Sequence, residues 1–182
     1  MLKLIKNGIQ RSIWNRREEK GMILFDEFAK QLKFENVLES VEFYYQAIRK
    51  QNGAIGIILQ SINQLPKTST AASILENTQV IYSLRNEKGY KQLVSRLNLS
   101  AHDHNQLKSI TNKLSGTRKY TEVFIKIGKE SNVFRLEVPP EAYAAYLTDG
   151  KENEQLLRNF KETGSMETAI ENFISKNNQN GL

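Results

Sequence analysis

The chain has 182 residues, no cysteine and a hydrophobic fraction of 39%. This length suits one compact domain with a proper core, and the lack of cysteine excludes disulfides and thiolate metal sites. The net charge of +6 favours polyanions such as nucleic acid only weakly, because the basic residues are dispersed along the chain. No apolar run approaches the length of a membrane span, so we expect a soluble chain in a reducing compartment.

The first half of the sequence alternates predicted helices and strands. In chain order they are a helix at 2–19, a strand at 22–25, a helix at 37–50, a strand at 54–59, a helix at 71–77 and a strand at 79–84. The first two strands are unbroken apolar runs, which predicts strands buried on both faces of a sheet. The alternation predicts an α/β fold built on a parallel sheet with right-handed crossovers.

The second half adds helices and one predicted hairpin. The elements are helices at 88–97 and 101–114, strands at 120–127 and 132–138, and closing helices at 141–147, 152–161 and 166–175. The two strands are rich in β-branched and aromatic residues and flank a turn at 128–131, which predicts an antiparallel hairpin. We expect the residues 139–182 to form a closing helical segment.

Two acids, Asp26 and Glu27, follow the first strand directly. Ligands of open α/β sheets lie beyond the carboxyl ends of the strands, and unpaired carboxylates there are costly. A nucleotide's magnesium would give Asp26 a partner through water, because Mg²⁺ keeps much of its hydration shell. Glu27 would then polarise or position an attacking water. This is the Walker B pattern, although it also arises by chance when acids cap the following helix.

Two further polar residues extend this hypothesis. Gln60 follows the second strand, and if the two strands are neighbours it lies beside Glu27, where an amide can bond both the attacking water and a γ-phosphate. The alternative is a polar residue that starts a surface loop. Arg49 and Lys50 end the helix between the strands, where cations are ordinary dipole partners. Arg49 could instead act as an arginine finger on a phosphate bound by a neighbouring subunit.

Three stretches carry a family likeness: LFDEFAK at 24–30, AIRKQNG at 47–53 and LQSIN at 59–63. In their order and spacing they resemble the TraG-type ATPases of conjugative transposons, the type IV secretion motor family. The likeness continues through SILENT at 73–78 and VPP at 138–140 to the closing helices, so it covers essentially the whole chain.

The resemblance implies a RecA-like fold of the P-loop NTPase type, a partial parallel sheet flanked by helices, with a hairpin and closing helices. It implies Asp26 and Glu27 as Walker B acids and Gln60 as a nucleotide sensor, with Arg49 as a candidate arginine finger. Asp26 would be the metal-binding residue, and Asp26 and Gln60 would contact the nucleotide. The implied cofactors are ATP and Mg²⁺, in the context of the full-length motor.

The sequence also departs from the family. Phe28-Ala29 replaces the Ala-Trp that many relatives carry, and no Gly-x-x-x-x-Gly-Lys-Ser/Thr is present to cradle phosphates. We therefore expect residues 1–182 to be the C-terminal portion of a RecA-like ATPase domain, inactive alone. The expected partners are the N-terminal half of the motor, further copies of it, and transfer-channel proteins at the inner membrane, on its cytoplasmic side. The alternative is a non-catalytic interaction module derived from such an ATPase.

The sequence His102-Asp103-His104 looks like a metal cluster. Residues two apart on a helix point to different faces. A helix start capped by Ser100, with an acid in the first turn, explains the pattern better. We therefore predict a cap here and no metal site.

Overall fold

A computed structural model describes residues 8, 20–34, 36–113, 120–148 and 150–179, without the side chains of 177–179. The predicted helix at 2–19 lies outside these residues except for Gly8, which is helical. The strands are β1 (Gly21–Phe25), β2 (Gly53–Ile57), β3 (Val80–Ser83), β4 (Asn112–Lys113), β5 (Tyr120–Ile127) and β6 (Glu130–Leu136). The helices are α1 (Phe28–Gln31), α2 (Val37–Ala47), α3 (Ser69–Glu76), α4 (Tyr90–Arg96), α5 (Ala101–Ser109), α6 (Pro140–Ala145), α7 (Gly150–Thr163) and α8 (Met166–Gln179).

β1 and β2 form the parallel pair that the sequence predicts. They run in register from Gly21 opposite Gly53 to Phe25 opposite Ile57. One face of the pair packs against a core that α1, α2, α3 and the loop after β2 supply. The buried members of this core are Phe28, Val37, Val41, Leu65, Ala71 and Ile74.

The prediction that these strands are buried on both faces is wrong. Met22 and Leu24 on β1 remain 68% and 55% exposed. Alternate residues of β1 are half-buried instead, because α2 and α3 cover only the face that carries Phe25 and Ile57. Among the described residues, this sheet contains just two strands.

β3 does not extend the parallel pair, which corrects the prediction of a single parallel sheet in the first half. It belongs to a second sheet in which β5 pairs with β3, β4 and β6. Val80 and Tyr82 are exposed whereas Ile81 and Ser83 are half-buried. That alternation is typical of a strand with one solvent-facing side and not of a central parallel strand.

The hairpin is confirmed, with β5 and β6 antiparallel from Thr121 opposite Leu136 to Ile127 opposite Glu130. Gly128 takes a φ of +58° in the turn between them, a conformation that suits glycine. The helix predicted at 101–114 ends earlier, at Ser109, because the next residues form β4 against β5.

The chain divides into two compact units. The first contains residues up to Ile81 together with Asn86–Asn105, and the second contains Tyr82–Arg85 and the residues from Gln106 onward. The first unit holds the parallel pair, and the second holds the hairpin and closing helices. Those helices share a core of Ala144, Leu156, Ala169 and Phe173.

Candidate functional site

The acidic pair forms a tight turn at the carboxyl end of β1. The N–H of Ile58 donates to the carbonyl of Phe25 (2.9 Å), and the N–H of Phe28 donates to the carbonyl of Ile58 (3.1 Å). These two hydrogen bonds join the turn that contains Asp26 and Glu27 to Ile58, the first residue beyond β2. Phe28 anchors its far side, because its ring is completely buried and meets Phe25 edge-on at 5.9 Å.

Glu27 has an unusual backbone conformation, with φ 48° and ψ 44° in the left-handed region. A residue with a Cβ atom is disfavoured there, and such strain concentrates at functional sites. Asp26 supports the turn, because its Oδ1 accepts the N–H of Glu27 at 2.8 Å. The Glu27 carboxylate pairs with Lys30 one turn along α1. Both acids remain exposed, so each carboxylate has oxygen atoms open to a ligand.

Gln60 lies at the same sheet edge, two residues beyond Ile58. Its side chain is exposed, while its main chain is held on both sides. The Gln60 N–H donates to Oε1 of Gln64 at 2.9 Å, and the Gln60 carbonyl accepts from Nδ2 of Asn86 at 3.3 Å. The structure therefore brings Asp26, Glu27 and Gln60 to one edge, as the sequence predicts for neighbouring strands.

The loop after Gln60 has its own framework. Ser61 and Gln64 form a capping box around the single 3₁₀ turn Ile62–Gln64, an arrangement that the S-x-x-Q spacing signals. Arg96, at the end of α4, donates to the carbonyls of Ile62 (2.7 Å), Leu65 (2.8 Å) and Pro66 (2.9 Å). These three hydrogen bonds to one guanidinium tie the loop to the end of α4 within the first unit.

α2 fixes the end of β2 through Tyr45. Its hydroxyl bonds the backbone of Ile57 and the side chain of Thr78, and burial raises the pKa of Tyr45 above its usual value despite these bonds. The phenol therefore stays protonated at neutral pH. The half-buried Tyr45 hydroxyl thus links α2 to Ile57, the last residue of β2, three residues before Gln60.

Arg49 does not join the other candidates. It is exposed on the 3₁₀ turn Ile48–Gln51, which precedes β2. The acidic turn lies at the opposite end of the strand, roughly 16 Å away at about 3.3 Å per residue. Within one copy of the chain, Arg49 is therefore too distant to serve the edge that carries Asp26 and Glu27.

The two carboxylates at the exposed edge have the chemistry to hold a Mg²⁺ ion. Mg²⁺ is usually held by one or two carboxylates together with waters and substrate phosphates, and Asp26 and Glu27 offer such oxygens. No loop of the phosphate-cradling type accompanies them in the sequence. Within the described part of the chain, no group of three or more His, Cys, Asp or Glu is arranged to hold a metal ion by itself.

The His102-Asp103-His104 sequence is a helix cap, as predicted. Asp103 is buried, and its Oδ2 accepts from the N–H and the hydroxyl of Ser100, both at 2.9 Å. The Ser100 hydroxyl in turn accepts the N–H of Asp103 at 3.1 Å. This reciprocal pair satisfies the first turn of α5.

Among solved structures, VirB4 of Thermoanaerobacter pseudethanolicus matches 76% of this chain at a TM-score of 0.56 and 19% identity. The likeness supports the RecA-like α/β fold. The chain spans 36% of that structure's length.

A family model described as the TraG P-loop domain matches residues 5–177. The chain therefore belongs to the TraG P-loop domain family. No curated protein matches the chain. None of the helices in the described ranges is long and apolar enough to cross a membrane.

Sequence reasoning missed the residues that hold Gln60 in place. Gln64 was within reach of the capping-box signature. Arg96 and Asn86 were not, because each lies about 30 residues from the loop it contacts and no local pattern links them. Lys30 pairs with Glu27 three residues earlier, and the sequence signals this pair only through the spacing of the two charges.

Proposed function

We propose that the chain is the C-terminal part of an ATP-hydrolysing motor for conjugative transfer, which couples hydrolysis to channel assembly or to export of DNA or protein. The observation that carries the proposal is the shared edge of β1 and β2, where Asp26, Glu27 and Gln60 follow two parallel strands. The phosphate-binding loop would come from the rest of the motor. The 182-residue chain is therefore inactive alone.

Each residue at this edge has a distinct task. Bound Mg²⁺ supplies positive charge that offsets the charge developing on the phosphates. Asp26 would hold the metal, and its Oδ1 accepts the N–H of Glu27, which fixes the carboxylate to the turn. Glu27 positions and polarises the attacking water. Lys30 orients the Glu27 carboxylate, and Gln60 bonds the water and the terminal phosphate.

Arg49 acts between copies in this proposal. Its exposed position at the opposite end of β2 suits a cation that reaches the nucleotide of a neighbouring subunit. The motor would then be a homo-oligomer, on the cytoplasmic side of the inner membrane beside other transfer-channel proteins. In a form of the chain that is extended upstream, an Arg49→Ala variant mixed with a Glu27→Gln variant would regain hydrolysis if the finger acts in trans.

Calorimetry with Mg·ATP tests the proposal. It compares the 182-residue chain, a form extended upstream through the preceding coding sequence, and the Asp26→Asn variant of that form. The control is Glu39→Gln, which changes an exposed acid on α2. We expect tight binding in the extended form and in the control, weaker binding in Asp26→Asn, and none in the 182-residue chain. A well-folded extended form that binds no Mg·ATP would refute the proposal.

One observation favours the second candidate function, a non-catalytic interaction module. The open face of β1 and β2 exposes Met22, Leu24 and Ile58, and parallel sheets are normally covered on both faces. In this function the 182-residue chain associates by that face without any nucleotide. Sedimentation velocity would show association that Leu24→Asp abolishes and that the exposed control Tyr146→Asp leaves intact. A monomer at all concentrations would exclude self-association.

A further inference from the structure

Arg96 makes an unusual set of contacts for a cation on a short helix. Its guanidinium donates three hydrogen bonds, all to main-chain carbonyls of the loop after β2. Its side chain is half-buried, and within the described residues it forms no ion pair with an acid. A planar fork with fixed donors suits such a task, which a lysine could fulfil only in part.

These contacts lead directly to Gln60. The loop that Arg96 holds includes Gln64, whose Oε1 accepts the N–H groups of Gln60 (2.9 Å) and Ser61 (3.3 Å). A second contact comes from Asn86, in the segment that precedes α4, because its side-chain amide donates to the Gln60 carbonyl. The buried side chain of Leu65 closes the loop onto the core. The Gln60 side chain projects from a main chain that is fixed from both directions.

We propose that Arg96 is a positioning residue for Gln60: by holding the loop at residues 62–66, it sets where the Gln60 amide stands at the nucleotide edge. A sensor helps catalysis only if its amide is held within a fraction of an ångström of the productive geometry. The inference deepens the proposed function and rests on it for the role of Gln60. It assigns Arg96 a part in the site without any contact to nucleotide.

Amide exchange in the 182-residue chain tests the loop directly, without nucleotide. Hydrogen bonds to a charged group are strong, so Arg96→Met should speed exchange at residues 60–65 roughly tenfold or more. Exchange in β1 and β2 should stay unchanged. Arg96→Lys should restore part of the protection. Lys91→Met removes the same charge from an exposed position on α4 and should change nothing.

Two results would overturn the inference. One is an unchanged rate of amide exchange at residues 60–65 in Arg96→Met. The other is faster exchange spread evenly over β2 and α2, which would make Arg96 a general stabilising residue. Arg96→Lys keeps the charge and the stem, so it decides the matter if Arg96→Met does not fold.

Kinetics in the upstream-extended form provide the second arm. Arg96→Met should lower kcat for ATP hydrolysis with little change in KM, and the loss should vanish in a Gln60→Ala background, because Arg96 acts through Gln60. Independent, multiplying losses would contradict the inference. An extended form that neither binds nor hydrolyses ATP would refute the proposed function, and the exchange experiment would still decide whether Arg96 positions Gln60.

Discussion

Because Glu27 has a left-handed backbone conformation, we expect glycine to be more stabilising than alanine at this position, the reverse of the usual order. Replacing Glu27 with Gly or with Ala removes the carboxylate and the exposed pair with Lys30 in both cases, so the two variants differ only at Cβ. At a φ of 48°, the Cβ atom costs roughly 1–2 kcal/mol. The glycine variant avoids this cost, but glycine loses more chain entropy on folding, which offsets about 0.5–1 kcal/mol of the advantage. Glu27→Gly should therefore be more stable than Glu27→Ala by roughly 0.5–1 kcal/mol.

Native-state amide exchange at the slowest amides of α3 reads the stability of the first unit separately from the second. The expected difference corresponds to exchange roughly two- to fivefold slower in Glu27→Gly than in Glu27→Ala. A matched pair at Glu39, an exposed residue in the first turn of α2, should show the opposite order, because glycine is a poorer helix former than alanine.

Equal or faster exchange in Glu27→Gly would refute the reasoning, because Glu27 would then not be held in the left-handed region. If the order holds, the natural glutamate is kept at a cost in stability. A residue retained at such a cost is expected where function requires it, and Glu27→Gly should combine higher stability than Glu27→Ala with loss of hydrolysis in the upstream-extended form.

Three further predictions concern the core, the second unit's acid response and its hairpin. Phe28→Ala should destabilise the first unit by about 3–5 kcal/mol, measured by amide exchange, because the ring is completely buried. Glu122 accepts the N–H and hydroxyl of Thr111, and the backbone bond, followed by the hydroxyl, lowers its pKa. The contribution of Glu122 to the free energy of unfolding is therefore fully present above its pKa in the unfolded chain and is lost as the pH falls through its pKa in the folded chain. Acid titration of the Glu122→Gln variant should lack that loss of stability. Gly128→Ala should destabilise the hairpin by roughly 1 kcal/mol in urea unfolding, because its φ is +58°; an unchanged midpoint would contradict this.

The sequence predicted those elements that depend on local patterns. β1, β2 and the hairpin follow from short apolar or β-branched runs that turn residues bound, and the shared edge of Asp26 and Gln60 follows once the two strands are neighbours. The cap at Ser100 is equally local. Each of these predictions needed only residues close together in the chain.

The remainder depends on contacts that are distant in sequence. The pairing of β3 with β5 joins strands about 40 residues apart, so the alternation of elements could not show which sheet β3 enters. The apolar run of β1 predicted burial on both faces, but burial depends on which helices cover the sheet. The left-handed Glu27 carried no signal, because glutamate has no preference for positive φ.

The steady-state rate of ATP hydrolysis by the upstream-extended form, with Glu27→Gln beside the Glu39→Gln control, tests the central claim most directly. If the shared edge is the catalytic half of a nucleotide site, Glu27→Gln should still bind Mg·ATP but hydrolyse it at least about a hundredfold more slowly, while Glu39→Gln keeps the full rate. Equal rates in Glu27→Gln and the unaltered form would contradict the claim and leave the acids as parts of a structural turn.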